Sequence, residues 1–255
     1  MFENVLVHPP EIRVRARRLF QAGDTVADTA RAVGLPYRTV WHWCNDRPEV
    51  KQQGTQLRCF RCREGVDSPT DPGAYAYLLG LYLGDGHLVT TARVPVLRIY
   101  CSEAWPGLIE ACDDAMRAVL ATKVQRVQKQ GCVGVQSYGK HWPCLLPQHG
   151  PGRKHERPIV LADWQRDIVQ HHPGSFLRGL FHSDGCRFAN RVTVRGKEYV
   201  YPRYMFSNRS GDIMELCQWA LDLLGIPWRM NLPWSLSVAR RNAVIALDRH
   251  VGPKS

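Results

Sequence analysis

The sequence has no apolar run long enough to span a bilayer, and its start, MFENVLVHPP, lacks the basic residues and long apolar stretch of a secretory leader. Those absences lead to the expectation of a cytoplasmic protein with no membrane partner. Common catalytic signatures are missing too. There is no G-x-S-x-G elbow and no phosphate-binding loop, and His149, His155, His171 and His172 lack the spacing of a helical zinc pair. Self-splicing is not expected, because the chain neither opens on a nucleophilic cysteine or serine nor closes on a His-Asn pair. Negative charge is scarce: 23 acidic residues face 34 Lys and Arg, a formal net charge of +11 over 255 residues. That balance favours an anionic partner. The basic residues alternate with aromatic and polar ones instead of lining one amphipathic helix, which suits nucleic acid better than a membrane surface. Charge alone does not separate such a binder from a merely basic soluble protein. The nine cysteines, odd in number and scattered, read as reduced thiols and not as a disulfide framework.

What is present is a pattern that occurs twice, LLGLYLGDG at Leu78 to Gly86 and LRGLFHSDG at Leu177 to Gly185. Each copy reads as the end of an apolar helix, closed by an aspartate and then by a glycine, Gly86 or Gly185, expected in the left-handed conformation. An acid at a helix C-terminus meets the negative end of the macrodipole and is destabilising unless a cation sits beside it. Asp85 and Asp184 break that rule in equivalent places, which points to a site. Gly80 and Gly84 are four apart in the first copy, as are Gly179 and Ser183 in the second, so each helix carries a bare stripe. Two such stripes packed together would bring the two acids to one spot, where paired carboxylates can hold divalent cations. Oxygen ligands suit magnesium, Mg2+, with Mn2+ able to replace it.

These motifs resemble the double-motif, single-chain LAGLIDADG (DOD-type) homing endonucleases, with Asp85 and Asp184 at the acidic position and Gly80 and Gly179 at the helix-packing glycine. Leu83 and His182 replace the first acidic letter of the family name. The resemblance covers roughly residues 74 to 255. It implies an α+β fold of two pseudo-symmetric αββαββα repeats, about 74–172 and 173–255, with saddle-shaped antiparallel sheets lying along the major groove of double-stranded DNA. It also implies that Lys154 and Lys254 approach the metals, polarising water and phosphate as further catalytic groups. Alternate strand residues would face the DNA. Candidates are Arg98, Arg126, Gln128, Gln136 and Tyr138 in the first half, and Arg203, Tyr204, Arg229, Asn231, Arg240 and Arg241 in the second. Arginine, glutamine and asparagine side chains can each bond purine edges in bidentate fashion.

The elements along the chain repeat in order. Strand Val96 to Cys101, helix Trp105 to Leu120 and a hairpin of Lys123 to Lys129 and Cys132 to Tyr138 follow the first motif. Strands Arg191 to Arg195 and Val200 to Phe206, helix Asp212 to Leu224 stopped by Gly225, and strands Pro227 to Met230 and Ser235 to Arg240 follow the second. The stretch with His149, Gly152 and Lys154 is echoed by His250, Gly252 and Lys254.

Ahead of the repeats, residues 1–50 read as a small all-α helix-turn-helix domain. Helices are expected over Ile12 to Gln21, Thr25 to Val33 and Pro36 to Trp43, with Ala30 at the crossing, Gly34 in the turn, and Val40 and Trp43 inside. Tyr37, Arg38, Trp41 and His42 then point outward toward DNA. The pattern resembles the resolvase and transposase type of helix-turn-helix; an ordinary three-helix packing domain is the alternative. Residues 51–73 read as a linker. Within it, Cys59 and Cys62 have the spacing of one edge of a zinc site, yet only Cys44 and His42 lie near in sequence, so two ordinary thiols are favoured over structural zinc.

Two functions remain. One is a monomeric, sequence-specific DNA endonuclease, cytoplasmic and bacterial in type, that cuts both strands with metal held by the paired aspartates. The other is a helix-turn-helix transcriptional regulator on the same fold that has lost cleavage. Retention of both acids favours the enzyme. A non-enzymatic domain with glycine-packed helices would leave the duplicated aspartate a coincidence.

Overall fold

The structure is a computed structural model that describes residues 10–45, 59–63, 69–120, 123–252 and 254. Most of the expected linker, residues 46–58 and 64–68, lies outside the described residues, as does the start of the chain. The chain divides into two compact units, residues 1–58 and 59–255.

In the first unit, α1 (Pro10–Gln21), α2 (Val26–Val33) and α3 (Tyr37–Asn45) surround a small core of Ala16, Ala30 and Val40. Thr25 caps α2 by accepting from the Asp28 amide at 3.1 Å, and Gly34 ends it at φ 67°, a left-handed turn that only glycine takes without strain. Trp43 packs against the core, and its carbonyl accepts from Arg17 Nε at 3.0 Å. Tyr37, Arg38 and Trp41 are exposed on α3. His42 lies in the same helix, but its side chain is outside the described set.

The second unit begins at Cys59, ahead of Ala74. A single turn, α4 (Phe60–Arg63), precedes α5 (Pro72–Asp85), β1 (Gly86–Val89), β2 (Val96–Ser102), α6 (Pro106–Leu120), β3 (Val124–Lys129), β4 (Cys132–Tyr138) and a second short turn, α7 (Trp142–Leu145). After a 3-10 turn at Lys154–Glu156 come α8 (Asp163–His171), α9 (Pro173–Asp184), β5 (Gly185–Val194), β6 (Lys197–Ser207), α10 (Gly211–Leu223), β7 (Arg229–Leu232), β8 (Ser235–Val238) and α11 (Arg241–Val251). The two antiparallel sheets have matching orders, β1-β2-β4-β3 and β5-β6-β8-β7. This is two pseudo-symmetric αββαββα repeats. Helix α8 was not expected, and it separates Lys154 from the end of the first repeat.

Helix α5 is apolar all round, and every residue from Tyr75 to Leu83 is buried, the expected fate of such a helix. Its partner is α9. A methyl on Gly80 would fall 2.5 Å from the Phe176 carbonyl oxygen, and one on Gly179 would fall 2.1 Å from that of Tyr77. The bare stripes therefore pack backbone to backbone. One expectation is corrected. Gly86 (φ −82°, ψ 148°) and Gly185 (φ −107°, ψ 163°) are extended, not left-handed. Each motif helix runs straight into the first strand of its sheet, and glycine is needed because a Cβ would strike the preceding turn, at 2.4 Å from Tyr82 Cα and 2.7 Å from Phe181 Cα.

Polar bonds pin the core. Tyr75 donates to the Leu145 carbonyl at 2.6 Å and accepts from Gln165 Nε2 at 2.6 Å. His182 is buried across the helix pair, with Nε2 3.0 Å from the Val251 carbonyl and Nδ1 3.0 Å from the Tyr77 hydroxyl. A carbonyl only accepts, so Nε2 carries the proton and Nδ1 accepts from Tyr77. Burial and the nearby Arg178 push this imidazole down to about 4, keeping it neutral.

Asp113, buried on α6, accepts from Arg117 Nε at 2.5 Å and Arg126 Nε at 2.9 Å. Burial opposes its charge, but the two guanidinium bonds win and hold its carboxyl below the usual range. A depressed folded-state pKa contributes stability that is present above the unfolded value and lost as pH falls through the folded one. Asp113→Ala should cost about 1–2 kcal/mol in urea unfolding at pH 7, the partly exposed arginines limiting the effect. The difference from wild type should vanish as pH drops below the carboxylate range.

Candidate functional site

Asp85 and Asp184 close α5 and α9, and the close packing of the helices brings the two ends together. The Asp184 Oδ2 atom lies 3.0 Å from where a Cβ on Gly84 would stand, beside the residue preceding Asp85. The cations that an acid at a helix C-terminus requires are Lys154 and Lys254. Lys154 Nζ donates to the Gly84 carbonyl at 2.7 Å and to that of Tyr82, while Lys254 Nζ donates to Gly185 at 2.5 Å and Ser183 at 3.4 Å. Each ammonium thus sits on carbonyls at the C-terminal end of one motif helix, where the macrodipole favours a cation. Lys254 follows α11 and Lys154 follows α7, so each is delivered after the helix that succeeds the second hairpin of its repeat.

The electrostatics are strained in the way a site requires. Asp85 is exposed to water, yet the protein crowded around it limits its hydration and, with the charge of Asp184, pushes its carboxyl up to about 6 against the pull of both lysines. Burial raises Asp184 as well, opposed by a 2.7 Å bond from Asn208 Nδ2 to its Oδ2. Desolvation lowers Lys154 to about 8, partly offset by the two aspartates, and lowers Lys254. All four shifts come first from burial, which the attraction between the aspartates and the lysines only partly offsets, and titratable groups perturbed together in this way make a candidate functional site. A cleft of about 540 Å3 opens beside them, lined by His87, Lys154, His155, Asp184, Asn208 and Arg209.

The register of the sheets decides which strand residues are open. In the first sheet Arg98 pairs with Gln136, Val96 with Tyr138 and Gln125 with Gln136, all on the face away from buried Leu97, Ile99 and Val135. Arg98, Gln136 and Tyr138 therefore share the face opposite the core. Arg98 Nε is buried with no hydrogen-bond partner among the described residues. Arg126 and Gln128 do not share that face. Arg126 pairs across from Val135 and is bound to Asp113 of α6, and Gln128 bonds Glu103 at 2.9 Å. Gln125, Val127 and Lys129 occupy the open face instead, Lys129 donating to the Tyr100 hydroxyl at 3.0 Å.

In the second sheet Arg203 pairs with Phe188 and Arg229 with Ser237, opposite the face of buried Phe206 and Leu236. Both are on the open side. Tyr204 is not: it is buried, its hydroxyl 2.7 Å from Asp248 of α11. Asn231 contacts Ser237 Oγ at 3.1 Å, and Arg240 and Arg241 are exposed at the start of α11. Strands β5 and β6 pair far beyond β8, giving a two-stranded arm with Tyr199 and Tyr201 stacked 6.2 Å apart. The expected strands Arg191 to Arg195 and Val200 to Phe206 fall largely in β5 and β6, but β5 already begins at Gly185, and sequence reading missed Asn208.

The chain is similar to several solved structures, among them homing endonucleases and a LAGLIDADG domain. Mesophilic variants of the homing endonuclease I-DmoI share 17% identity over 71% of this chain and 91% of that chain, with a TM-score of 0.45. The N-terminal LAGLIDADG domain of DUF199/WhiA shares 14% over 77% of this chain and 94% of that one, at 0.46. The LAGLIDADG meganuclease I-AabMI, bound to uncleaved DNA, shares 12% over 69% and 84%, at 0.45. No family model and no curated protein matches the sequence. At these identities the likeness concerns architecture alone, and the chemistry rests on this chain's own atoms.

One sequence reading changes. Cys59 and Cys62 are not an isolated pair: His141 and Cys144 join them, with the ligand atoms of all four within 4.8 Å of one another. The partners are far along the chain, and Cys44 belongs to the other unit. A C-x-x-C at 59–62 answered by an H-x-x-C at 141–144 was the signal available in the sequence.

Proposed function

We propose that the protein is a sequence-specific DNA endonuclease of the LAGLIDADG homing type, acting as a monomer in a bacterial-type cytoplasm and hydrolysing one phosphodiester bond on each strand. The observation that carries this reading is the doubled centre, an aspartate ending each of two glycine-packed helices with a lysine on the carbonyls of each end. A divalent cation, magnesium or manganese, fits Asp85 and Asp184 chemically. The donors are hard oxygens, and the crowding and mutual repulsion that raise Asp85 are relieved by positive charge. When bound, such an ion supplies Lewis acidity and a water of lowered pKa.

The chain's own groups do the rest. Asn208 orients the Asp184 carboxylate, and Lys154 and Lys254 place positive charge beside the scissile phosphates. The ammonium of Lys154, lowered to about 8, stays largely protonated at neutral pH and can neutralise a phosphoryl oxygen as charge builds. Arg98, Gln136, Tyr138, Arg203 and Arg229, on open sheet faces, supply donors for base edges and phosphates, as do Arg240 and Arg241. Gln125 and Lys129 replace Arg126 and Gln128 in that role. Tyr37, Arg38, Trp41 and His42 of α3 add a second DNA contact.

The test is cleavage of a randomised or genomic plasmid library by purified protein in magnesium or manganese. Linear products whose ends share one sequence are expected. Tight binding to a defined site with no strand broken in either metal would sink the enzyme. It would leave a DNA-binding transcriptional regulator, the reading that the three-helix N-terminal unit favours.

A further inference from the structure

We propose that Cys59, Cys62, His141 and Cys144 form a structural zinc site, independent of the acidic centre, that fastens the segment at 59–63 to the first repeat. The reasoning begins with geometry. Cys59 Sγ is 3.2 Å and Cys62 Sγ 3.6 Å from His141 Nδ1, and the Cys144 thiol contacts both other thiols. Tetrahedral zinc, with bonds of about 2.3 Å to sulfur and about 2.0–2.1 Å to nitrogen, holds its ligand atoms roughly 3.5–3.8 Å apart. The two sulfur–nitrogen distances already sit near that spacing, and all four donors lie within 4.8 Å of one another, so closing on an ion takes shifts of about 1 Å or less.

The donor set points to the same ion. Three thiols and one imidazole make a soft to borderline site, suited to zinc and unsuited to magnesium or calcium. Four protein ligands fill a tetrahedron and leave no open position for water or substrate, which marks a structural role and not a catalytic one. Cys59 and His141 are buried at 2% and 5% exposure, so the cluster faces inward.

The fold explains why a metal is needed there. Cys59 precedes α4 and Cys62 lies within it, just as His141 precedes α7 and Cys144 lies within it, so each turn presents a pair three residues apart. Helices of four residues do not hold themselves together in water. Near α4, Arg61 reaches the Leu120 carbonyl at 3.5 Å, the outer limit of a hydrogen bond. A zinc ion would tie two single turns, 82 residues apart at Cys59 and His141, into one unit.

The experiment uses the full chain, purified under reductant and without chelator. Elemental analysis should find one zinc per chain, released on thiol blocking into a chromogenic chelator. Replacement by cobalt should give the intense tetrahedral bands and thiolate charge-transfer absorption of a three-sulfur site. Cys59→Ser combined with Cys144→Ser should reduce zinc to none, while Cys132→Ser and Cys186→Ser keep one. Chelation should lower the melting temperature of wild type and leave that of the double variant unchanged. If the double variant does not fold, wild-type stoichiometry and the cobalt spectrum decide the matter. The proposal is overturned if reduced wild type holds no zinc even after reconstitution with the metal. Zinc that persists undiminished in the double variant overturns it equally.

Discussion

Gly179→Ala should abolish the cooperative unfolding transition of the second unit. The added methyl would stand 2.1 Å from the Tyr77 carbonyl oxygen, 2.9 Å from Gly80 Cα and 2.9 Å from the Leu81 nitrogen. All three are backbone atoms of the facing helix, so no side chain can rotate away. Overpacking ordinarily costs about 1–3 kcal/mol because neighbours yield. Here relief requires moving α5 from α9, which strips contact from the nine consecutive residues of α5 buried from Tyr75 to Leu83. The cost should exceed that range, and a domain of ordinary stability, about 5–15 kcal/mol, would lose most of its margin. Gly84→Ala offers a graded comparison, because its Cβ would meet a side chain, Ser183 Oγ at 2.1 Å. Adding Ser183→Gly should restore much of that loss. A Gly179→Ala protein melting within a few degrees of wild type would remove the backbone-packing account.

That packing was legible in sequence because small residues four apart on an apolar helix have few other uses. The order of elements was legible too, since period-two and helical patterns are local. What failed was whatever depends on a non-local partner. Gly86 and Gly185 were read as left-handed stops, but β1 and β5 begin at those residues, and the demand for glycine comes from Tyr82 and Phe181 one turn earlier. The alternation in β3 was visible, but not which phase faces the helices. Val124 and Arg126 face α6 there, and Asp113 on that helix holds Arg126. The thiols at 59 and 62 look solitary in sequence because their partners, His141 and Cys144, are far along the chain. Asn208 carries no motif of its own, and only the end of β6 brings it to Asp184. Helix α8 carries a short apolar stripe, Trp164, Ile168 and Val169 against the core, but it is only nine residues long and its buried Gln165, bonded to Tyr75, interrupts the pattern.

The second large effect is expected at the acids. Asp85→Asn and Asp184→Asn should each lower double-strand cleavage by about 10²–10³-fold or more, the scale of losing one charge-stabilising group in an active site, while affinity for the cognate duplex in calcium changes little. The two sides of the substitution have opposite signs, and that makes the prediction specific. In metal-free protein the Asp85 carboxyl sits at about 6, above its unfolded value, so the folded state holds its proton more tightly. Stability therefore falls as pH rises from the ordinary carboxylate range to about 6 and stays low above it. Asparagine carries no charge to desolvate and cannot repel Asp184. Without metal at pH 7, Asp85→Asn should thus melt at or above the temperature of wild type, although it has lost activity. Added magnesium should then stabilise wild type and not the variant, because it binds where the repulsion was. The stabilisation of wild type should weaken as pH drops below about 6, where protons compete for the same carboxylate. If Asp85→Asn instead lowers the melting temperature by several degrees at neutral pH, Asp85 is a structural cap of α5, and the conflict of charge at the two helix ends has no catalytic meaning.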